Sequence, residues 1–144
     1  MRTSGEMQLE LSRNAKRGGF WLTDRKTGAC VGFAVRGYNV ELIIVYVPEK
    51  RRGKGLGTKI LKAGINYLSR TYPDKPLTLL CMHLPGVENI SVQELQKWYE
   101  RNGFRVLPGQ AEDAVEISMV HDPDGILIKS IVHPELTPEQ VCRP

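Results

Sequence analysis

The sequence predicts an α/β fold in which short strands alternate with two well-marked helices. Three observations carry this reading. The run Glu41-Leu42-Ile43-Ile44-Val45-Tyr46-Val47, closed by Pro48, is β-branched and apolar, and it leads through a glycine-rich turn into residues of helical spacing. Upstream, two β-rich runs flank a polar turn and read as a hairpin. Downstream, a second helix carries signals at both of its ends.

In chain order, residues 7–11 alternate weakly and are expected to form a first strand. Residues 19–23 and 29–35 flank the turn from Asp24 to Gly28, and Gly37-Tyr38-Asn39 turns the chain into a strand over 40–47. Leu56, Ile60, Gly64 and Leu68 recur at helical spacing, with Leu61 and Ile65 widening the apolar face. This helix, over about 56–70, ends before Tyr72-Pro73, because a residue preceding proline is biased out of helical angles. Residues 77–84 are short and nearly all apolar, which suits a strand buried on both faces, and Pro85-Gly86 breaks it.

Ser91 and Glu94 have capping-box spacing, with Ile90 and Leu95 placed as a hydrophobic staple. Gly103 sits where a left-handed residue ends a helix, with Phe104 able to fold back on it. Val92, Leu95, Trp98 and Tyr99 mark the apolar stripe. A link of about ten residues leads to a strand over 114–120 and then to the turn Asp122-Pro123-Asp124-Gly125. Residues 126–132 are expected to add an extra C-terminal strand, and 133–144, with three prolines, to form a flexible tail on a single domain spanning 1–144.

The turn Arg52-Gly53-Lys54-Gly55-Leu56-Gly57 carries the chemistry. A glycine-rich passage from strand to helix presents backbone N–H groups at the positive end of a helix dipole, and such turns bind phosphates. No Lys-Ser or Lys-Thr pair follows Gly57, so it is not a Walker A loop, and Thr58 stands where the dinucleotide fingerprint needs a third glycine. The spacing Arg-x-x-Gly-x-Gly from Arg52 resembles the acyl-CoA pyrophosphate loop of the GNAT superfamily of N-acetyltransferases. A second block, Trp98-Tyr99-Glu100-Arg101-Asn102-Gly103-Phe104, resembles the family's helix ending in Tyr-x-x-x-Gly-Phe. The resemblance covers about residues 19 to 120. It implies the acyl-CoA N-acyltransferase fold, a mixed and mostly antiparallel sheet flanked by helices.

Composition is consistent with that reading. Hydrophobic residues make up 41% and charged residues 25%, as in an ordinary soluble protein. No apolar run has membrane-spanning length, and three widely spaced cysteines without a Cys-x-x-Cys suit reduced thiols, so a cytoplasmic protein is expected. The net charge of +4 is concentrated: Lys50, Arg51, Arg52, Lys54, Lys59 and Lys62, against Glu49, give the segment 49–62 a charge of +5. The remaining chain is slightly acidic. Basicity confined to one turn and its helix suits a compact polyanion such as CoA better than an extended nucleic acid backbone.

The resemblance distributes roles. The backbone of Val45, Tyr46 and Val47 would pair with the pantetheine arm, with a main-chain N–H there able to polarise the thioester carbonyl. Gly53, Lys54, Gly55, Leu56, Gly57 and Thr58 would wrap the pyrophosphate, and Arg52 would hold the loop or contact phosphate. Tyr99 would be the general acid for the departing thiolate, or simply a packed aromatic of the stripe. Glu41 lies six residues before Val47, the offset of the glutamate that some members use as base. Period-two alternation would put it on one face with Ile43, Val45 and Val47, where desolvation would raise its pKa. An exposed charge at a strand start is the equal alternative.

His83 is a rival base, while His121 and His133 have no partner at metal-ligand spacing, so no metal is expected. Cys81, in an apolar run, reads as inert core. The chain departs from the family in two places. Only about seven residues, 12–18, stand where two helices usually join the first strands, so the acceptor side is open or is completed by another subunit or by the extra strand. Val92 occupies the position of a frequent asparagine, and Asn89 is off register.

The expected activity is transfer of an acetyl group from acetyl-CoA to a primary amine, on a protein or a small molecule, by direct attack in a ternary complex. A homodimer is compatible with this, and a membrane partner is not expected. A catalytically silent acyl-CoA-binding or partner-binding module is the alternative. A nucleic-acid binder ranks below both, since few aromatics accompany the charge.

Overall fold

The computed structural model describes residues 7–14, 19–82, 91–111 and 115–132. Among these are seven strands and three α-helices, a mixed α/β arrangement, divided into two compact units at Leu77 and Thr78. The expectations for His83, Pro85-Gly86, Asn89, Ile90, Ala114, His133, Cys142 and the tail 133–144 lie outside the described residues.

The first unit is an antiparallel meander. Strands β1 (Leu9–Asn14), β2 (Gly19–Asp24), β3 (Cys30–Val35) and β4 (Val40–Tyr46) pair consecutively. The register pairs Leu9 with Asp24 at one end of β1 and Asn14 with Gly19 at the other. Asp24 is buried where the β2–β3 turn begins. Its carboxylate accepts from the N–H groups of Gln8 and Lys26 and from the Thr27 hydroxyl, which fixes the hairpin.

The helix α1 (Leu56–Thr71) covers one face of this meander through Ile60, Leu61, Gly64 and Leu68. A Cβ on Gly64 would lie 2.9 Å from Val31 Cγ2, so glycine allows the helix to sit close against β3. Tyr67 meets Phe33 on the same face, at 6.5 Å between ring centres. The helix closes with the Tyr72 N–H donating to the Leu68 carbonyl, one residue before Pro73.

In the second unit β5 (Leu77–Met82) pairs antiparallel with β7 (Glu116–His121), which also pairs with the short β6 (Phe104–Val106). The strand β6 falls inside the stretch expected to be a plain link; three residues are too few to show a period. The helix α2 (Val92–Arg101) begins as its sequence implies, with Ser91 Oγ accepting from the Glu94 N–H. It ends at Gly103, whose φ of 92° is left-handed.

The expected extra C-terminal strand is a helix instead, α3 (Ile126–Val132). The physical reason lies in the preceding turn. Asp122 is buried, and its two carboxylate oxygens accept from the N–H groups of Leu127 and Ile128, satisfying donors that a helix start leaves open. A short apolar run has no period of its own to oppose that cap.

Candidate active site

The passage from β4 to α1 is built from backbone geometry. After Pro48, a 3-10 turn over Glu49–Arg51 leads to Arg52 in an extended conformation. Gly53 and Gly55 then take φ of 82° and 76°, and Gly55 is the N-cap of α1. A Cβ on either glycine would meet nothing within 4 Å, so it is the left-handed backbone, not crowding, that requires glycine within the protein alone. The first N–H groups of a helix have no intrahelical acceptor, and a glycine cap has no side chain to supply one. The first turn of α1 also contains no acid.

Lys50, Arg51, Arg52, Lys54, Lys59 and Lys62 are all exposed around this turn. The ion pairs among the described residues, Arg25–Glu10 and Arg36–Glu41, draw on none of them. Arg52 turns back: its Nε–H donates to the Val47 carbonyl at 2.9 Å, and its guanidinium lies 5.9 Å from the centre of the Tyr46 ring. Of the two roles expected for Arg52, holding the loop is the one this geometry displays.

The strand β4 carries an irregularity that alternation did not reveal. Gly32 pairs with Ile44 and Phe33 with Leu42, so Ile43 is an extra residue on β4, a bulge. Directly paired residues share a face. Leu42 and Val45 therefore face the α1 side with Phe33 and Val31, whereas Glu41, Ile44 and Tyr46 face the opposite side with Ala34, Gly32 and Cys30. Glu41 is thus not on the face of Val45, contrary to the period-two expectation. Nor does it sit alone among apolar groups: Arg36 Nη2 donates to Glu41 Oε1 at 2.9 Å, with Arg36 Nε at 3.3 Å. The signal for this pair was available, since the two residues flank the Gly37-Tyr38-Asn39 turn.

In the second unit, Tyr99 is 8% exposed and packs against Trp98 and Phe104, at 5.0 and 5.6 Å between ring centres. Burial first, and then the neighbouring Cys81, push its phenol well above the usual tyrosine range, so it is protonated at any physiological pH. Cys81 is fully buried, and its thiol donates to the Val92 carbonyl at 3.8 Å. Burial, then the charge of Glu100, raise that thiol to about 11, which suits the inert role expected of it.

His121 packs edge-on against Phe104 at 5.2 Å, and burial lowers its pKa despite the opposing charges of Asp122 and Asp124. Among the described residues no three His, Cys, Asp or Glu side chains converge as a metal site would require, and no helix is long and apolar enough to cross a membrane.

Residues 16–106 match the acetyltransferase (GNAT) domain, well over half of the chain, and the protein belongs to that family. No curated protein sequence matches it. Among solved structures, ElaA of Escherichia coli is similar at 21% identity and a TM-score of 0.55, over 72% of this chain and 68% of that one. A GNAT family acetyltransferase from Elizabethkingia anophelis, solved with acetyl-CoA bound, is similar at 14% identity and a TM-score of 0.57, over 81% and 96%. An acetyltransferase from Bacillus subtilis in complex with CoA gives 13% identity and a TM-score of 0.56, over 81% and 99%. At these identities the likeness establishes the fold.

Proposed function

We propose that this chain is an N-acetyltransferase that moves the acetyl group of acetyl-CoA to a primary amine by direct attack. The observation that carries the reading is the glycine-capped start of α1, with two left-handed glycines, no acid in its first turn and six exposed cations around it. Two similar folds were solved with acetyl-CoA or CoA bound, which supports the same ligand class here. The diphosphate rests on the amides of Gly53, Lys54, Gly55, Leu56, Gly57 and Thr58, and the pantetheine arm pairs with the backbone of Val45, Tyr46 and Val47.

The amine lone pair attacks the thioester carbonyl carbon, the C–S bond breaks, and CoA leaves as the thiolate. Tyr99 is assigned to that thiolate. Its raised pKa makes it a weaker acid than a thiol, whose ordinary value is about 8.5, so it acts mainly as a hydrogen-bond donor to the developing charge. The amine proton must leave, and Glu41 is poorly placed to take it, since it lies on the face of β4 opposite Val45 and its Oε1 already accepts from Arg36. We therefore assign that proton to water. A missing dedicated base costs about 10²–10⁴-fold in rate, which suits an acceptor of modest basicity or a slow enzyme.

Thiol release from acetyl-CoA across a panel of peptides, free N-termini and small amines tests the reading. Amine-dependent release is the expected result. Binding of acetyl-CoA without release for any acceptor would favour the silent acyl-CoA-binding module, and Glu41→Gln retaining full rate with a flat pH profile would bear out the water assignment.

A further inference from the structure

The strand β1 ends the meander on one side, and among the described residues no strand lies beyond it. The Arg25 N–H donates to the Gln8 carbonyl, so Gln8, Glu10 and Ser12 turn their main-chain groups inward to β2. Leu9, Leu11 and Arg13 therefore turn theirs outward, to an open edge. Such edges are ordinarily kept from pairing by lysine, proline, a bulge or extreme shortness. The strand β6, at the edge of the other unit, has only three residues. By contrast β1 has six, an unbroken register with β2, and neither lysine nor proline. Its two leucines lie on the α1 face, since Leu11 pairs with Leu22 and Leu22 with Val31 beside Gly64, yet Leu9 and Leu11 are 39% and 46% exposed. Its charges are turned to their own protomer: Glu10 meets Arg25 at 3.2 Å, and the Arg13 guanidinium lies 5.9 Å from the centre of the Phe20 ring.

We propose that the outer edge of β1 is a docking surface for a second copy of this chain, in which two β1 strands pair antiparallel about Leu11. A two-fold axis normal to the sheet keeps the faces matched, so residues that pair across it differ by an even number. Centred on Leu11, it sets Leu11 against Leu11 of the second copy and Leu9 against its Arg13, each pair exchanging N–H and C=O groups that are otherwise open. On the other face Glu10 meets Ser12, whose hydroxyl can donate to the carboxylate. The neighbouring registers are poorer. One centred on Glu10 puts two carboxylates face to face, and one centred on Ser12 leaves Leu9 opposite no residue of β1. Backbone, charge and apolar surface are self-complementary in one register, which selects a second copy over an unrelated strand. One strand and two leucines per copy make a small interface, so association is reversible, with dissociation between about 1 μM and 1 mM.

Sedimentation of wild type across that range should show dimer growing with concentration. Leu11→Lys and Leu11→Glu each place like charges opposite one another and should weaken association about tenfold or more. An equimolar mixture of the two variants should restore it, because only a residue that faces its own copy behaves in this way. Hydrogen exchange gives a readout on the unaltered protein. At high concentration the amides of Leu9, Leu11 and Arg13 should slow about tenfold or more, while those of Glu10 and Ser12, already bonded to β2, exchange as they do at low concentration. A wild type that stays monomeric throughout, a dimer that both substitutions leave intact, a mixture that fails to reassociate, or exchange at Leu9, Leu11 and Arg13 that ignores concentration overturns the inference. Should either variant fail to fold, the exchange pattern of wild type alone decides.

Discussion

Replacing Gly55 by alanine separates what the backbone needs from what the ligand needs. Gly55 caps α1 at φ 76° and ψ 9°, and a Cβ there meets no atom within 4 Å. The cost to the protein alone is therefore conformational. Holding an L-residue at left-handed angles costs about 1–2 kcal/mol, which for a domain of this size lowers Tm by roughly 3–8 °C. Gly109, in the turn between β6 and β7, is a matched control, with φ 86° and equally open space.

Gly109→Ala should cost the same stability. Binding should distinguish the two, because the open volume at Gly55 lies beside the amides assigned to the diphosphate, and a methyl group there obstructs close approach. Calorimetry with coenzyme A should show Gly55→Ala weakened by about tenfold or more, the equivalent of losing one good contact, with Gly109→Ala unchanged. If both variants lose equal stability and bind as wild type does, the empty space at Gly55 is not the ligand's and the reasoning fails.

Gly57→Asp places a carboxylate in the first turn of α1, where the helix dipole favours it by about 0.3–1 kcal/mol; Tm should hold or rise while coenzyme A binding is abolished by repulsion. Tyr99→Phe should lower kcat by about 10²-fold with little change in coenzyme A affinity, and no rate step should track phenol ionisation below pH 10. A cooperative loss of folding in that variant would instead mark Tyr99 as a core residue only. His121 has a folded-state pKa below its ordinary 6.5, so the unfolded chain takes up the proton first as pH falls. Stability, read as the urea midpoint, should be full above that ordinary value and decline as pH falls below it, and His121→Phe should flatten the decline.

Much of the fold was legible because its signals are local. The run from Glu41 to Val47 is too β-branched to be mistaken, and α1 announces itself by Leu56, Ile60, Gly64 and Leu68. The cap at Ser91 and the left-handed Gly103 fix α2 at both ends. What stayed hidden depends on non-local pairing or on one side chain overriding a pattern. The bulge at Ile43 exists only relative to Gly32 and Phe33 on β3, and it moved Glu41 to the other face from Val45. Residues 126–132 read as a strand until Asp122 is seen to cap them as a helix. The return of Arg52 onto Val47 leaves no trace in composition, although the motif that contains it does.

The central claim is that main-chain amides between β4 and α1 hold the diphosphate of acetyl-CoA. Titrating ¹⁵N-labelled protein with coenzyme A, and following each amide resonance, tests it most directly. The account predicts that the largest shifts fall on Gly53 to Thr58, saturating with a single affinity. Large shifts confined to other segments, with the amides of Gly55, Leu56 and Gly57 unmoved at saturation, would contradict it.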